Sequence, residues 1–266
     1  MPSPFLHPFA KPTREQFITI ARGKGALLWD ADGRELIDGM ASLWYCAIGH
    51  GRQEMADAIA AQAGTLAAYS CFDPFTNAPA DQLAERLRTI APMPEARVFF
   101  TSSGSEAVDS AMKLARVAQI QSGHPERMLI ISRTRGYHGV AYGGTSAQGI
   151  APNRQGFGPL LPDVVQVPAD DLEALATLMA ERGNEVAAVI AEPIQGAGGV
   201  FPPAEGYLAG LRRLCDQHGA FLILDEVITG YGRLGAWFAA IHYDVITSSK
   251  IRNAPCWSQS RRRPSR

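Results

Sequence analysis

The sequence has few lysines, no long apolar run and no excess of charge of either sign. Its formal net charge is −1 over 266 residues, which gives no reason to expect a nucleic-acid partner or an anionic membrane surface. No apolar run approaches the roughly 20 residues of a transmembrane helix, and the opening MPSPFLHPFA lacks the apolar core of a signal peptide. We therefore expect a cytoplasmic protein that binds neither nucleic acid nor membrane.

Closely spaced cysteines are also missing. The four cysteines form no CxxC pair and no spacing typical of a metal site, which predicts that no metal is bound. Thiols scattered in this way are typical of a reducing compartment. They lie at Cys46, Cys71, Cys215 and Cys256.

What the sequence does contain is a series of short apolar segments with helical stretches between several of them. Because continuous apolar strands alternating with helices are typical of a parallel sheet covered on both faces, we predict an α/β fold. Before this region, residues 26–39 alternate apolar and polar residues around Asp-Gly and predict a β-hairpin. The predicted strands are 97–102, 127–132, 164–167, 186–192 and 221–226, and the predicted helices are 53–67, 78–90, 104–121, 170–182 and 204–218.

In such sheets ligands bind at the carboxyl ends of the strands, and unusual residues follow several of these strands. The first is TSSGSEA at the start of the helix at 104–121, where free backbone N–H groups and the helix dipole favour a phosphate. Gly104 lets the backbone approach a ligand and Ser105 adds a hydroxyl. A serine that only caps the helix is the alternative interpretation.

Two further strand-end segments carry ring and carboxylate side chains. In GYHG, Tyr137 can stack on a flat ligand or fill space under the loop, and His138 can act as a base or simply hydrogen-bond the loop. Asp225 follows the apolar run FLIL, and buried carboxylates are rare without a partner. Along a strand Asp225 and Val227 share one face, so the carboxylate can hold a cationic ring nitrogen while the valine packs beneath the ring.

An apolar run ending in Asp-Glu also occurs in the magnesium-binding strand of P-loop ATPases. Those proteins need G-x-x-x-x-G-K-[ST], and the Gly23-Lys24 pair here has Ile18 and Gly25 at the other required positions. A phosphate site, an aromatic ring and a carboxylate instead suggest pyridoxal 5'-phosphate (PLP), which also needs a lysine. Of the four lysines Lys11, Lys24, Lys113 and Lys250, the position of Lys250 after a short apolar run best suits that role.

Together, the segments TSSGSEAVDSAMKLAR, GYHG, AEPIQGAGGV, LILDEVITGYGRLG and DVITSSK resemble the class III (omega) aminotransferases. LWYCAIGHGRQEM resembles their branch acting on amines or omega-amino acids with pyruvate. The resemblance implies the PLP-dependent transferase fold type I. It implies an enzyme that moves an amino group from an amine or omega-amino acid to a 2-oxo acid such as pyruvate.

The resemblance also implies roles for individual residues. Gly104 and Ser105 would hold the phosphate, Tyr137 would stack on the ring and Val227 would pack on its other face. Asp225 would pair with the ring nitrogen, and Lys250 would form the Schiff base and transfer the substrate proton. The remaining implied site residues are Glu192, near the ring hydroxyl, and Trp44 and Tyr137, in the substrate pocket.

The sequence departs from the family pattern towards its end. Lys250 follows Asp225 by 25 residues, and the following IRNAPCWSQSRRRPSR has five arginines and no acidic residue. We expect residues 1–54 to belong to the small domain, 55–250 to form an incomplete PLP-binding large domain lacking its C-terminal small domain, and 251–266 to be a tail unlike the family. The family is implied to form homodimers, which a shortened chain would disfavour. The alternative function is a truncated relative with impaired or absent activity.

Overall fold

The computed structural model describes residues 4–11, 13–93 and 95–245, so the predicted Lys250 site and the basic tail lie outside the described residues. The described residues form two compact units, one ending at Asn77 and the other beginning at Ala78. This division follows Asn77, whereas the expected boundary follows residue 54. The assignment of domains within the complete family fold stays a prediction.

The first unit contains a small antiparallel sheet of three strands, in the order β1 (Ile20–Lys24), β2 (Leu27–Asp30) and β3 (Glu35–Ile37). The hairpin predicted at 26–39 is confirmed, with Leu27 opposite Ile37. Asp30 stabilises its turn, because one carboxylate oxygen accepts hydrogen bonds from the backbone N–H groups of Asp32 and Arg34. The one-turn element α1 (Ala41–Trp44) and the helix α2 (Gln53–Thr65) follow.

The second unit is built on a parallel sheet with strand order β5-β4-β6-β7. The register places Ile131 of β4 beside Val189 of β6, and Val189 beside Leu222 of β7. The predicted parallel sheet is therefore confirmed. Its strands are β4 (Leu129–Arg133), β5 (Val164–Val167), β6 (Val186–Ala191) and β7 (Phe221–Leu224).

Helices cover both faces of this sheet, as expected for apolar parallel strands. On one face, Ile131 and Val189 pack in a cluster that includes Leu175 and Leu211 of two covering helices. On the other face, Ile130 and Ile190 share a cluster with residues of the helix that begins at Gly104. The helices of this unit are α3 (Ala78–Ile90), α4 (Gly104–Gln121), α5 (Tyr142–Ala147), α6 (Leu172–Arg182), α7 (Tyr207–His218) and α8 (Ala239–His242), with a 3₁₀ turn at Ala151–Arg154.

One predicted strand is wrong. Residues 97–101 have no regular secondary structure and pair with none of the described strands. The side chains of Phe99 and Phe100 are 72% and 45% exposed. Apolar composition alone does not make a strand, because each strand needs a neighbour to pair its backbone groups. Among the described helices, none combines the length and apolar character needed to cross a membrane.

The packing of α6 against the sheet generates a stability prediction. Leu175 is fully buried, so Leu175→Ala should lower the free energy of unfolding by about 2–5 kcal/mol, as removal of core leucines does. Leu114→Ala is the matched control, since Leu114 is 52% exposed on α4 and its loss should cost less than about 0.5 kcal/mol. Urea unfolding followed by circular dichroism measures both. Equal losses would contradict the assignment of α6 to the core.

Candidate functional site

The site is built where the parallel strands β4, β6 and β7 end together. Ala191 and Leu224 are register partners, so the next residues, Glu192 and Asp225, leave the sheet side by side. The Asp225 backbone N–H donates to the Ala191 carbonyl at 2.9 Å. The guanidinium of Arg133, the last residue of β4, donates to the Glu192 carbonyl. The end of β4 is thereby tied to the Glu192 position, and the start of the Asp225 loop is tied to β6.

Asp225 forms a buried pair with His138 of the GYHG segment. The Asp225 Oδ2 and His138 Nδ1 atoms are 2.9 Å apart, and their side chains are 8% and 1% exposed. Because a carboxylate only accepts hydrogen bonds, this contact assigns the proton to His138 Nδ1. The other oxygen, Oδ1, accepts the backbone N–H of Val227 at 3.3 Å. The carboxylate is thus held in one orientation at the end of β7.

Glu192 lies beside this pair and uses backbone donors. Its Oε1 accepts the Tyr137 N–H at 2.8 Å, and its Oε2 accepts the Gly196 N–H at 3.3 Å. Burial raises the pKa of Glu192, and its contacts with Tyr137 and His138 only partly oppose that effect. Glu192 therefore fixes the backbone at Tyr137 and links the loop after β4 to the loop after β6.

The N-terminus of α4 meets the same loops. Ser103 is the N-cap residue, and its side chain accepts the Glu106 N–H at 3.2 Å. The Glu106 side chain accepts the N–H of Ser102, the residue before the N-cap, at 2.7 Å, so the first turn of the helix is bonded to the segment that enters it. A serine does cap the helix, as the alternative interpretation expected, but that serine is Ser103. Gly104 and Ser105 are the first helical residues.

Close approaches tie the start of α4 to the other two segments. A Cβ atom at Gly104 would lie 3.1 Å from Val227 Cγ2, and a Cβ at Gly139 would lie 2.4 Å from Ser105 Oγ. Gly139 also has φ +89°, a conformation that favours glycine. The Ser105 hydroxyl oxygen accepts the Val140 N–H at 3.0 Å, a bond that does not use the hydroxyl's own hydrogen. Two glycines thus permit the contact between helix and loops.

The structure brings together most of the residues predicted for the site. Trp44 lies in the other compact unit, and Lys250 lies outside the described residues. Glu226 has different partners from Asp225, because its carboxylate accepts the N–H groups of Ala239 and Ala240 at the start of α8. The predicted residues that share this strand-end region are Gly104, Ser105, Tyr137, Glu192, Asp225 and Val227.

The pairing of His138 with Asp225 is not predicted from the sequence. His138 was considered as a base or as a loop hydrogen-bonder, and the structure shows it bonded to the carboxylate. The glycines on either side of Tyr137 and His138 were the feature of the sequence that could have indicated a tightly packed histidine ring. A Cβ at Gly136 would lie 3.4 Å from His138 Nε2, so the small residue leaves room for the ring.

Comparison with known proteins gives this geometry a family. The sequence model of the protein family aminotransferase class-III matches residues 9–251 of this chain. The chain belongs to the class III aminotransferase family. The beta-alanine–pyruvate aminotransferase of Pseudomonas aeruginosa is 40% identical over 245 residues, which cover 85% of this chain and 54% of that protein. An omega-aminotransferase of Caulobacter vibrioides is 41% identical over 235 residues, covering 80% and 53%.

Solved structures agree with this assignment. The chain resembles an amine transaminase from an uncultivated Pseudomonas species, solved in its PLP-bound form, with a TM-score of 0.87 and 38% identity. That match covers 93% of this chain and 61% of the solved one. The expected PLP fold type I is confirmed. The chain spans about half the length of the curated relatives it matches.

The described residues fit the cofactor of this family. PLP carries a phosphate, which suits the backbone at Gly104 and the hydroxyl of Ser105 at the start of an 18-residue helix. PLP also carries a basic ring nitrogen, which suits the oriented Asp225 carboxylate. The exposed methyl groups of Val227, whose side chain lies against Gly104, offer an apolar contact between these two polar groups.

The buried Glu192 generates a pH prediction. Because its pKa in the folded chain is raised, its favourable contribution to folding is present below pH 4.5 and is lost as pH rises through the folded value. In the cofactor-free chain, Glu192→Gln should therefore gain stability relative to the wild type as pH increases above 4.5. Urea unfolding at successive pH values measures this difference. The exposed Glu181→Gln is the control, and a parallel response of both variants would contradict the prediction.

Proposed function

We propose that this chain catalyses PLP-dependent transamination, moving an amino group from an amine or omega-amino acid to a 2-oxo acid such as pyruvate. The observation that carries the proposal is the buried Asp225–His138 pair. Asp225 lies two residues before Val227, whose side chain lies against Gly104 at the N-terminus of α4. Membership of the class III family and the activities named for the similar proteins support it. These comparisons do not favour the alternative of an impaired relative.

Asp225 is the residue proposed to hold the ring nitrogen in its protonated form. A negative charge beside a basic nitrogen favours the protonated state, and the bond from His138 keeps the carboxylate aimed. When bound, PLP supplies an electron-poor ring that stabilises the negative charge left when the substrate loses a proton. His138 is thus a positioning residue for Asp225.

The other predicted residues would orient the same group. Gly104 and Ser105 would bind the phosphate through a backbone N–H and a hydroxyl, while Tyr137 and Val227 would pack on opposite faces of the ring. Glu192 would keep the Tyr137 backbone in place through their 2.8 Å hydrogen bond. Lys250 would carry the cofactor and move the proton at the substrate carbon as base and then acid. Trp44 would line the substrate pocket.

We also propose a cytoplasmic location, and we take the homodimer that the resemblance implies for the family as the assembly to be tested in this chain. The described cysteines Cys46, Cys71 and Cys215 carry free thiols, as is common in a reducing compartment. Several large apolar side chains of the first unit are exposed, among them Phe72 and Ile59. Sedimentation at several protein concentrations tests the assembly.

The Asp225 role predicts that Asp225→Asn lowers transamination about 100-fold or more, a loss typical of removing an oriented electrostatic contact from an active site. Glu226→Gln is the matched control, because Glu226 bonds the start of α8 and should affect stability more than turnover. Alanine formation from pyruvate and an amine donor measures activity, and PLP absorbance measures binding. Equal loss of activity in both variants would contradict the assignment of Asp225.

The Lys250 role is tested by trapping. Borohydride reduction of the PLP-loaded chain, followed by peptide mass mapping, should place the cofactor on Lys250. The three remaining lysines are exposed in the structure and serve as internal controls for nonspecific labelling. A label on Lys24 or Lys113 in place of Lys250 would contradict the prediction.

A further inference from the structure

A second cluster of reactive side chains lies in the N-terminal unit, within residues 38–50. It combines a carboxylate, a hydroxyl, a thiol and an imidazole. The Asp38 Oδ2 and His50 Nε2 atoms are 2.8 Å apart, and the Cys46 Sγ and His50 Nδ1 atoms are 3.6 Å apart. The cluster therefore places a carboxylate and a thiol at the two nitrogens of one imidazole.

Asp38 determines which of those nitrogens carries the proton. Its two oxygens also accept the Ser42 backbone N–H at 3.0 Å and the Ser42 hydroxyl at 3.1 Å. The hydrogen bond from the Ser42 backbone contributes most to lowering the pKa of Asp38, and the bond from His50 contributes next. Asp38 is therefore a carboxylate that only accepts hydrogen bonds. His50 Nε2 is consequently the donor, and in the neutral ring Nδ1 presents its lone pair to Cys46.

The imidazole is held in this orientation by the small sheet. The backbones of His50 and Gly25 pair in both directions, each N–H donating to the other's carbonyl at 2.9 Å. The ring packs against Gly23, where a Cβ would lie 2.7 Å from His50 Cγ. Any larger residue at Gly23 would displace the ring, so the facing nitrogen is fixed by backbone and packing together.

We propose that Cys46 is a nucleophilic thiol with His50 as its base, and that it forms mixed disulfides with small disulfide-containing molecules. Cys46 Sγ transfers its proton to His50 Nδ1 and attacks one sulfur of the small disulfide. A bond forms between the two sulfurs while the small molecule's S–S bond breaks, and the departing thiolate takes the proton back from His50. Asp38 stabilises the transient imidazolium.

Within the part of the chain that the structure describes, the other two cysteines have different surroundings. Cys215 is fully buried, and burial raises its pKa to about 12, so its thiolate is strongly disfavoured. Cys71 is exposed, and its sulfur accepts a hydrogen bond from the Asn77 side-chain amide. Cys256 lies outside the described residues. Cys71 is therefore the internal reference, because it is more exposed than Cys46 and its sulfur bonds an amide instead of an imidazole.

The experiment treats the reduced full chain briefly with 4,4'-dithiodipyridine and maps the modified cysteines by mass spectrometry. At pH 6.5, Cys46 should react at least tenfold faster than Cys71. His50→Gln should remove that excess, whereas His124→Gln, which changes a half-exposed histidine of the other unit, should leave it intact. A Cys46 rate that does not exceed the Cys71 rate in the wild-type chain would overturn the proposal.

A second measurement needs no variant. The rate at which an unassisted thiol attacks a disulfide is proportional to its thiolate fraction. Below about pH 8.5 that rate rises about tenfold per pH unit. Between pH 6.5 and 7.5, the reaction rate at Cys46 should instead rise less than about threefold, because His50 takes the thiol proton during the attack and no free thiolate has to form first. A tenfold rise at Cys46 would overturn the proposal. Both measurements use the chain without PLP, so their outcome is separate from that of the transamination assay.

Discussion

The parallel register of β4, β6 and β7 is the constraint on which the candidate site depends. Ile131 and Val189 face the helices on one side, while Ile130 and Ile190 face α4 on the other. A slip of one residue would exchange these faces and the side chains that pack against each helix. The register that buries the apolar residues therefore also fixes where Glu192 and Asp225 emerge at the sheet edge.

The site accommodates two neighbouring carboxyl groups by giving them different partners. Asp225 bonds an imidazole N–H and a backbone N–H, whereas Glu192 bonds two backbone N–H groups. Burial favours the neutral form of Glu192, and the nearby charge of Asp225 raises its pKa further. Of the two groups, Asp225 is the one that an imidazole N–H orients, and the proposed ring nitrogen would lie there.

Local pattern predicted much of this architecture, because the elements that matter most are also the most regular. The strand at 164–167 and the helix at 104–121 have the predicted bounds, and the apolar run ending before Asp225 is the strand β7 of the parallel sheet. The strand predicted at 97–102 is wrong for a physical reason. Its apolar residues are typical of a strand, but a strand forms only where a neighbouring strand, distant in sequence, pairs with its backbone. The contact of His138 with Asp225 spans 87 residues and likewise depends on topology.

The two histidine–carboxylate pairs show why residue type alone does not define a role. In the strand-end site, His138 uses Nδ1 to bond Asp225, and its Nε2 faces the glycine backbone at Gly136. The imidazole then has no reactive neighbour at that nitrogen among the described contacts, and its effect is to orient the carboxylate. In the N-terminal unit, Asp38 takes Nε2 and leaves Nδ1 facing a thiol, so the carboxylate orients the imidazole instead. The sequence contains both pairs, but the direction in which each ring is held is set by glycine contacts and backbone pairing. That direction distinguishes a histidine that positions a charge from one that can accept a proton.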